Sequence, residues 1–256
     1  MSDLNSHIRT LYALAFLAAV LAMGAVSQAH AVMLVSRSQE VSIGKQVEES
    51  VIKEYGGLST DKAVVERVER IGKKVAEQSP RQDVTYTYKV LNSDVINAFA
   101  APGGPVLITK ALARMLSTDD ELAFVLAHET GHIAAQHGRE AINRALLAQG
   151  IASLLFRRAS ETARIGASVV YTLYDRGYSR SQEYQADAHG VQIMRDSGHN
   201  PEGAVVALAK LGMKRASGLD KYLATHPDIP DRIDRVAQMS GITPERQKEL
   251  VAKATR

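Results

Sequence analysis

The spacing of apolar residues along the chain predicts a largely helical protein with one short run of strands. Apolar positions recur at close to helical intervals from residue 38 to 56 and again from 61 to 78, and Pro80 follows the second segment. The period then falls to two in VTYTYKVL, residues 84–91, which is typical of a strand. Two more strands are predicted at 95–100 and 105–109, and further helices at 118–138, 139–157, 180–197, 202–213, 230–239 and 244–254.

This order of elements predicts an α+β fold in which a small sheet lies beside a mostly helical domain. The chain has 256 residues, of which 45% are hydrophobic, so it can bury a substantial core. It contains neither a repeat of solenoid period nor a low-complexity linker. We therefore predict a single domain over residues 32–256, preceded by a leader.

Residues 1–31 have the features of a signal peptide. Arg9 precedes an apolar run from residue 11 to 26, and Ala-His-Ala at 29–31 is a small-x-small cleavage site. Cleavage after Ala31 would deliver the protein to the periplasm or cell envelope. The alternative is an uncleaved anchor, for which 16 apolar residues are short. The chain has no cysteine, which excludes disulfides and a lipid-modified cysteine.

The charge distribution argues against a nucleic-acid-binding protein. The formal net charge is only +3, and no block of like charge is five residues long. Aromatic residues make up 5% of the chain and are not interleaved with basic runs, so surfaces for stacking bases are not expected.

His128, Glu129 and His132 form an H-E-x-x-H sequence within the helix predicted at 118–138. Helical residues four apart are separated by about 6 Å along the axis and about 40° around it, so both imidazoles can bind one ion. Glu129 lies beside that ion, where it can accept a proton from a water. The flanking residues are apolar, so these polar side chains would be buried and would need a partner, for which a metal is the natural candidate.

A third ligand is expected later in the chain, because zinc hydrolases use three protein ligands and one open position. Glu183 and Asp187 are four residues apart in the helix predicted at 180–197. We assign Glu183 to the metal and Asp187 to a hydrogen bond from the second ring nitrogen of His128 or His132. Taken alone, two exposed acids would be the better interpretation, and the upstream motif reverses that choice. Two histidines and a glutamate favour zinc, one ion per chain.

Four segments together, HETGH, SRSQEYQAD, NAFAAPGGPVLIT and THPDIPDRI, resemble the HtpX-like and CAAX-prenyl-protease-like zinc metallopeptidases of family M48, from about Ser38 to Met239. The resemblance implies a zincin-like domain with a gluzincin site. His128, His132 and Glu183 correspond to its ligands and Glu129 to its general base. It also implies endopeptidase action on protein or peptide substrates, with exported members acting in envelope protein quality control.

The chain departs from other members in two ways. No later segment is apolar enough to span a bilayer, and the sequence ends without the tetratricopeptide domain that some exported members have. We therefore expect an exported soluble member that hydrolyses unfolded or misassembled proteins, and we do not carry over prenylated substrates. The alternative is a latent or inactive protein with the same fold that acts as a chaperone or binding protein. The oligomeric state is not predicted.

Other polar residues are weaker candidates for the site. His226 is the first candidate for donating a hydrogen bond to the oxyanion of the reaction and Tyr184 the second, while His226 could instead be a fourth ligand that keeps the enzyme latent, or a plain loop histidine. Arg232 could anchor the loop of His226 against an acid or be an exposed helix arginine. Arg180 could bind a substrate carbonyl or form a structural salt bridge. His137, His189 and His199 are predicted to lie on the surface.

Two regions have competing interpretations. Asn97, Ala98 and Phe99 could form an edge strand that pairs with an extended substrate, or an internal strand before a hairpin turn. Residues 141–174 could form a core helix, a hydrophobic flap over the cleft or a peripheral membrane contact.

Overall fold

The computed structural model describes residues 35–148, 177–213 and 219–254. The predicted signal peptide and residues 149–174 of the ambiguous apolar stretch lie outside these ranges. Within them, no helix combines the length and the hydropathy needed to cross a membrane. The fold is α+β, as predicted, with helices around a small mixed sheet.

The helices and strands follow the predicted order closely. The strands are β1 (Thr87–Leu91), β2 (Ala98–Ala100) and β3 (Pro105–Thr109). The helices are α1 (Arg37–Glu54), α2 (Lys62–Glu77), α3 (Lys110–Met115), α4 (Asp119–Ala134), α5 (His137–Ala148), α6 (Arg180–Asp196), α7 (Glu202–Met213), α8 (Asp220–Thr225), α9 (Ile229–Met239) and α10 (Pro244–Ala254).

The described sheet has the strand order β1-β3-β2, with β1 parallel and β2 antiparallel to β3. β1 begins three residues later than the predicted strand at 84–91, because Thr87 pairs with Pro105, the first residue of β3. β2 pairs through Ala98 with Ile108 and is likewise shorter than predicted. Because β2 has a strand on one side only, it is an edge strand of this sheet.

Helix α4 is the centre of the core. Every residue from Glu121 to Ile133 is buried, so this helix is enclosed on all faces. It packs against α2, α6 and α7, and each fully buried leucine or phenylalanine in it contributes about 1.5–3 kcal/mol of transfer free energy. One face of α5 also belongs to the core, since Ala141, Ile142 and Leu146 are fully buried, whereas Leu147 is exposed.

The two ends of α4 are determined by local chemistry. Thr118 caps the helix by accepting a hydrogen bond from the backbone of Glu121, whose carboxylate pairs with Lys210 of α7 at 2.7 Å. The predicted end at Gly138 is wrong. The helix stops at Ala134, and Gln136 has a φ of 60°, which breaks the helical path before α5 begins.

Two glycines allow α4 and α6 to approach each other closely. A Cβ at Gly131 would lie 2.8 Å from the carbonyl oxygen of Ala186, and a Cβ at Gly190 would lie 3.2 Å from the backbone nitrogen of His128. Larger side chains at these positions would push the helices apart. The close approach brings the acids of α6 to the histidines of α4.

Candidate metal centre

Four side chains from three segments converge in the interior. His128 and His132 come from α4, Glu183 from the first turn of α6, and His226 from the residue that ends α8. Each offers one ligand atom, and these atoms all lie within 4.8 Å of one another. All four residues are at most 1% exposed. Buried imidazoles and a carboxylate at such distances form a group that can hold a metal ion.

Four of the six distances between the ligand atoms are close to those expected around a tetrahedral ion. Ligands about 2.0–2.1 Å from zinc in a tetrahedral site lie about 3.3 Å from one another. The Nε2 atom of His128 is 3.1 Å from His132 Nε2 and 3.4 Å from His226 Nδ1. Glu183 Oε1 is 3.2 Å from His132 Nε2 and 3.1 Å from His226 Nδ1. The residues present therefore fit zinc, and His226 fits as a fourth ligand.

A buried arginine links the acids behind the cluster. Asp187 Oδ1 is 2.9 Å from His128 Nδ1, the ring nitrogen that points away from the cluster. Arg232 donates to both oxygens of Asp187 at 2.7 Å, and its Nη1 is 2.5 Å from Glu183 Oε2. Arg232 is fully buried, so its interpretation as an exposed helix arginine is wrong. It contacts the acids of α6.

The electrostatic environment favours the protonation states that Glu183 and His132 need as metal ligands. Burial opposes the charge of Glu183, but the charges of His226 and Arg232 outweigh it and hold the pKa of Glu183 well below its usual value. Burial raises the pKa of Asp187, but the charge of Arg232 and the hydrogen bonds from His128 and Arg232 outweigh this effect, so the pKa lies below its usual value. Burial holds the pKa of His132 well below its usual value. Glu183 is therefore charged and His132 neutral, as ligands must be.

Glu129 lies beside the cluster without a hydrogen-bond partner. It is fully buried, and among the described residues neither carboxylate oxygen has a partner. His226 Nε2 is 3.5 Å from Glu129 Oε1, and burial raises the pKa of Glu129. The carboxylate borders a cavity of about 10 Å³, close to the space that one water needs. The lining residues of this cavity are Ala98, Phe99, Ala100, Glu129, Tyr178, Thr225 and His226.

The predicted substrate strand lies at this cavity, but its residues differ in position. Ala98 and Phe99 line the cavity as part of the edge strand β2. Asn97 is buried away from it, with its amide nitrogen donating to the Tyr55 hydroxyl at 3.3 Å and its Oδ1 accepting from the backbone of Ala98 at 3.0 Å. Asn97 therefore supports the strand, and its contact with substrate stays a prediction.

Two further candidates lie apart from the cluster. Arg180 forms an ion pair with Asp228 and its side chain is 71% exposed, which matches the salt-bridge interpretation. The guanidinium of Arg235 lies 4.2 Å from the ring centroid of Tyr184, and Tyr184 does not line the cavity. The tyrosines whose rings contact the cluster are Tyr178, stacked on His132 at 3.7 Å, and Tyr222, stacked on His226 at 4.6 Å.

Of the three other histidines predicted to lie on the surface, His137 is buried, whereas His189 and His199 are partly exposed. His137 is 2% exposed, and its Nδ1 lies 2.8 Å from Nδ1 of His132. A continuous helix would turn His137 away from His132, but the break at Gln136 returns it to the same side. His199 is 9% exposed and faces Asp120 at 3.3 Å, and His189 is half-buried.

Comparison with known proteins agrees with this geometry. The sequence matches Peptidase family M48 over residues 62–240. It is 28% identical to the mitochondrial metalloendopeptidase OMA1 of Arabidopsis thaliana, over 64% of this chain and 33% of that protein. It is 30% identical to the beta-barrel assembly-enhancing protease of Yersinia pestis, over 68% of this chain and 38% of that protein. It is 27% identical to the metalloprotease LoiP of Escherichia coli K12, over 58% of this chain and 60% of that protein.

The matched region contains the whole cluster, from His128 to His226, together with Glu129. The chain spans between 33% and 60% of the length of these three relatives. The family match extends over well more than half of the chain, and the protein therefore belongs to peptidase family M48, a family of metallopeptidases.

Proposed function

We propose that the protein is a zinc-dependent metalloendopeptidase that hydrolyses peptide bonds of unfolded or misassembled proteins in the bacterial cell envelope. The observation that carries the proposal is the buried carboxylate of Glu129, which has no hydrogen-bond partner among the described residues and lies beside four potential ligand atoms. A buried carboxylate without a partner is costly, so its retention there indicates a chemical role.

The residues have distinct roles in this proposal. His128, His132 and Glu183 hold one zinc ion, which when bound polarises a carbonyl and makes a nearby water more acidic. Glu129 accepts a proton from the attacking water and returns it to the leaving amine. Burial raises the pKa of Glu129, which makes its carboxylate a better proton acceptor. Asp187 fixes the ring of His128 through the 2.9 Å contact at Nδ1.

The edge strand β2 provides a site for an extended substrate. In the antiparallel pair, the backbones of Asn97 and Ala101 bond to β3, so the intervening residues alternate between facing β3 and facing the open edge. Ala98 and Ala100 thus present their carbonyls to that edge, next to Glu129. Pairing through main-chain atoms does not depend on substrate sequence, which suits unfolded clients.

We further propose that the described conformation is a resting state. The cavity at Glu129 is about 10 Å³, which is too small for a peptide. His226 Nδ1 completes the set of four ligand atoms and His226 Nε2 faces Glu129 at 3.5 Å, so this side chain occupies the space that a substrate needs. Activity then requires His226 to leave the cluster.

The proposed envelope location and the proposed protein substrates are inferred from the relatives and from the predicted signal peptide. One relative is named as a beta-barrel assembly-enhancing protease, and the predicted signal peptide supports export. The assignment of the zinc site depends on neither the relative nor the signal peptide. The catalytic assignment and the envelope role can therefore be tested separately.

The test combines metal content with casein digestion, using the purified protein, Glu129→Gln and the control Glu66→Gln, which changes an exposed glutamate of α2. We expect one zinc per chain in all three proteins, and cleavage by the parent and the control only. Loss of a catalytic base typically lowers the rate by about 10²–10⁴-fold. A parent without zinc would overturn the metal assignment, and full activity of Glu129→Gln would overturn the assigned base.

The alternative function, an inactive protein that binds unfolded clients, predicts a different pattern. Zinc would be present, cleavage would be absent from all three proteins, and the parent and Glu129→Gln would suppress client aggregation equally. The observation that favours this alternative is the cavity at Glu129, which is too small to admit a peptide.

A further inference from the structure

A chain of three side chains connects the cluster to the protein surface. His137 Nδ1 is 2.8 Å from His132 Nδ1, on the side of the His132 ring that points away from the cluster. His137 Nε2 is 3.1 Å from the side-chain oxygen of Gln185, an exposed residue of α6. His137 itself is 2% exposed, so its two ring nitrogens have these two contacts in a buried environment.

The directions of these hydrogen bonds follow from the atoms at each end. A neutral imidazole has one N–H and one lone pair. His132 Nε2 lies 3.1 Å from His128 Nε2 and 3.2 Å from Glu183 Oε1, so binding of a metal there requires its lone pair at Nε2 and its proton at Nδ1. His132 Nδ1 then donates to His137 Nδ1, and His137 keeps its own proton on Nε2, from which it donates to Gln185.

The other tautomer of His132 conflicts with this chain. A proton on His132 Nε2 could be donated to Glu183 Oε1 at 3.2 Å, but His132 Nδ1 would then be a lone pair. While Gln185 holds the proton of His137 on Nε2, two lone pairs would face each other across 2.8 Å. The chain therefore disfavours the tautomer that cannot bind a metal.

We propose that His137 and Gln185 are positioning residues that hold His132 in its metal-binding tautomer. This inference rests on the proposed function in so far as the cluster is a zinc site. It makes the two helical ligands unequal, since His128 donates to a carboxylate that Arg232 compensates, whereas His132 donates to a neutral imidazole. Partners behind a ligand histidine fix the orientation of its ring and raise its basicity.

A packing role for His137 has to be separated from this one. The Tyr178 ring stacks on His132 at 3.7 Å and lies 5.9 Å from the ring of His137, so His137 also fills space beside the site. His137→Phe keeps an aromatic ring there but removes the acceptor. His137→Asn loses the ring, but its side-chain oxygen can take the position of Nδ1. The two roles therefore predict opposite orders for these variants.

The first measurement is the zinc affinity of the full chain, by competition with a chromophoric chelator. If the inference holds, His137→Phe binds zinc about 10–100-fold more weakly than the parent, and His137→Asn restores affinity to within a few-fold. The matched control His189→Phe, which changes a half-buried histidine of α6, leaves the affinity unchanged. Equal zinc affinities of the parent and His137→Phe would overturn the inference. So would a weaker zinc affinity of His137→Asn than of His137→Phe.

The second measurement needs no substitution at His137 and so does not depend on how the variants fold. Long-range proton–nitrogen NMR of the zinc-loaded parent should find the ring proton of His132 on Nδ1 and that of His137 on Nε2, and Gln185→Leu should alter the nitrogen shifts of His137. A proton on Nδ1 of His137 contradicts the inference while leaving the zinc site intact. A parent that binds no zinc removes the proposed function, and this inference with it.

Discussion

One arginine, Arg232, forms ion pairs with two acids at the cluster, Asp187 and Glu183. Arg232 is fully buried and contacts both Asp187 and Glu183, so one guanidinium pairs with two carboxylates. Loss of one partner from a buried ion pair typically costs about 3–5 kcal/mol, because the remaining charge is left without compensation. Lysine would not replace it, since only the planar guanidinium can bond both acids through separate nitrogens. The protein itself therefore compensates part of the negative charge of the site.

His226→Ala distinguishes the two roles of this residue. If His226 closes the site at rest, the variant keeps one zinc through His128, His132 and Glu183, and casein cleavage rises several-fold because the fourth position is open. Casein turnover per bound zinc is the quantity to measure.

The opposite result would favour the oxyanion role. Removal of one donor to a developing oxyanion typically lowers the rate by about 10²–10³-fold. A fall of that size at unchanged zinc content would contradict the resting-state proposal. His199→Ala is the control, because His199 faces Asp120 rather than the cluster.

At the scale of the elements, the N-terminus of α4 is tied to α2 by charge. Asp119, the first residue of α4, accepts from Arg67 Nε at 2.8 Å and Arg70 Nη2 at 2.9 Å. It also places a negative charge at the positive end of the helix dipole. The hydrogen bond from Arg67 lowers the pKa of Asp119, burial opposes this effect, and Arg70 adds to it. The helix that carries the cluster is thus anchored at its first residue.

Asp119→Asn should therefore reduce stability in a pH-dependent way. The pKa in the folded chain lies below the unfolded value of about 3.9, so the stabilisation is fully present above that pH and is lost as the pH falls through the folded pKa. We expect the variant to be less stable than the parent at pH 6, by less than about 1 kcal/mol because the site is partly exposed, and to approach it at pH 3.

Urea unfolding in EDTA at several pH values measures this difference. Asp94→Asn is the control, since the side chain of Asp94 is 94% exposed and its variant should follow the parent throughout. A difference for Asp119→Asn that stays constant down to pH 3 would mean that its charge is not the cause.

The elements themselves were predictable where a single period or motif determines them. The apolar spacing predicted α2 and α6 to within a few residues, and spacing within α4 and α6 was enough to select His128, His132 and Glu183 as candidates. Prediction failed where the backbone departs from the regular pattern. His137 was missed because Gln136 has a positive φ, which no apolar period indicates.

At the scale of the whole molecule, the site depends on contacts that a linear pattern does not contain. His128 and Arg232 meet although they are separated by 104 positions, and His226 reaches the cluster from the end of α8. From the sequence, His226 could be an oxyanion donor or a fourth ligand, and Arg232 could be paired with an acid or exposed. Only the packing of α9 on α6 shows that Arg232 is buried against acids. The three strand segments were recognised, but their ends depend on which residues lie opposite in β3.

Zinc binding should couple the site to the stability of the entire fold. A ligand that binds only the folded state raises the free energy of unfolding by about 2.7 kcal/mol at one hundred times its Kd. We expect zinc to add this amount to the parent in urea unfolding and EDTA to remove it. His132→Ala should lose most of the increment, whereas His199→Ala should change the stability with and without zinc equally. An increment that survives in His132→Ala would show that zinc binds elsewhere.

The metal-free protein should nevertheless stay folded, because Asp187 and Glu183, two of the three buried acids of the site, already pair with Arg232. Arg232 compensates Asp187 and Glu183, and the charge of Glu183 raises the pKa of His226 against the opposing effect of burial, so that His226 also stabilises Glu183 when it is protonated. Circular dichroism in EDTA should therefore keep its helical signal and show a cooperative urea transition. Complete unfolding by EDTA would instead mean that the ion, rather than Arg232, balances the acids, and Arg232→Met would then do little further harm to the metal-free chain.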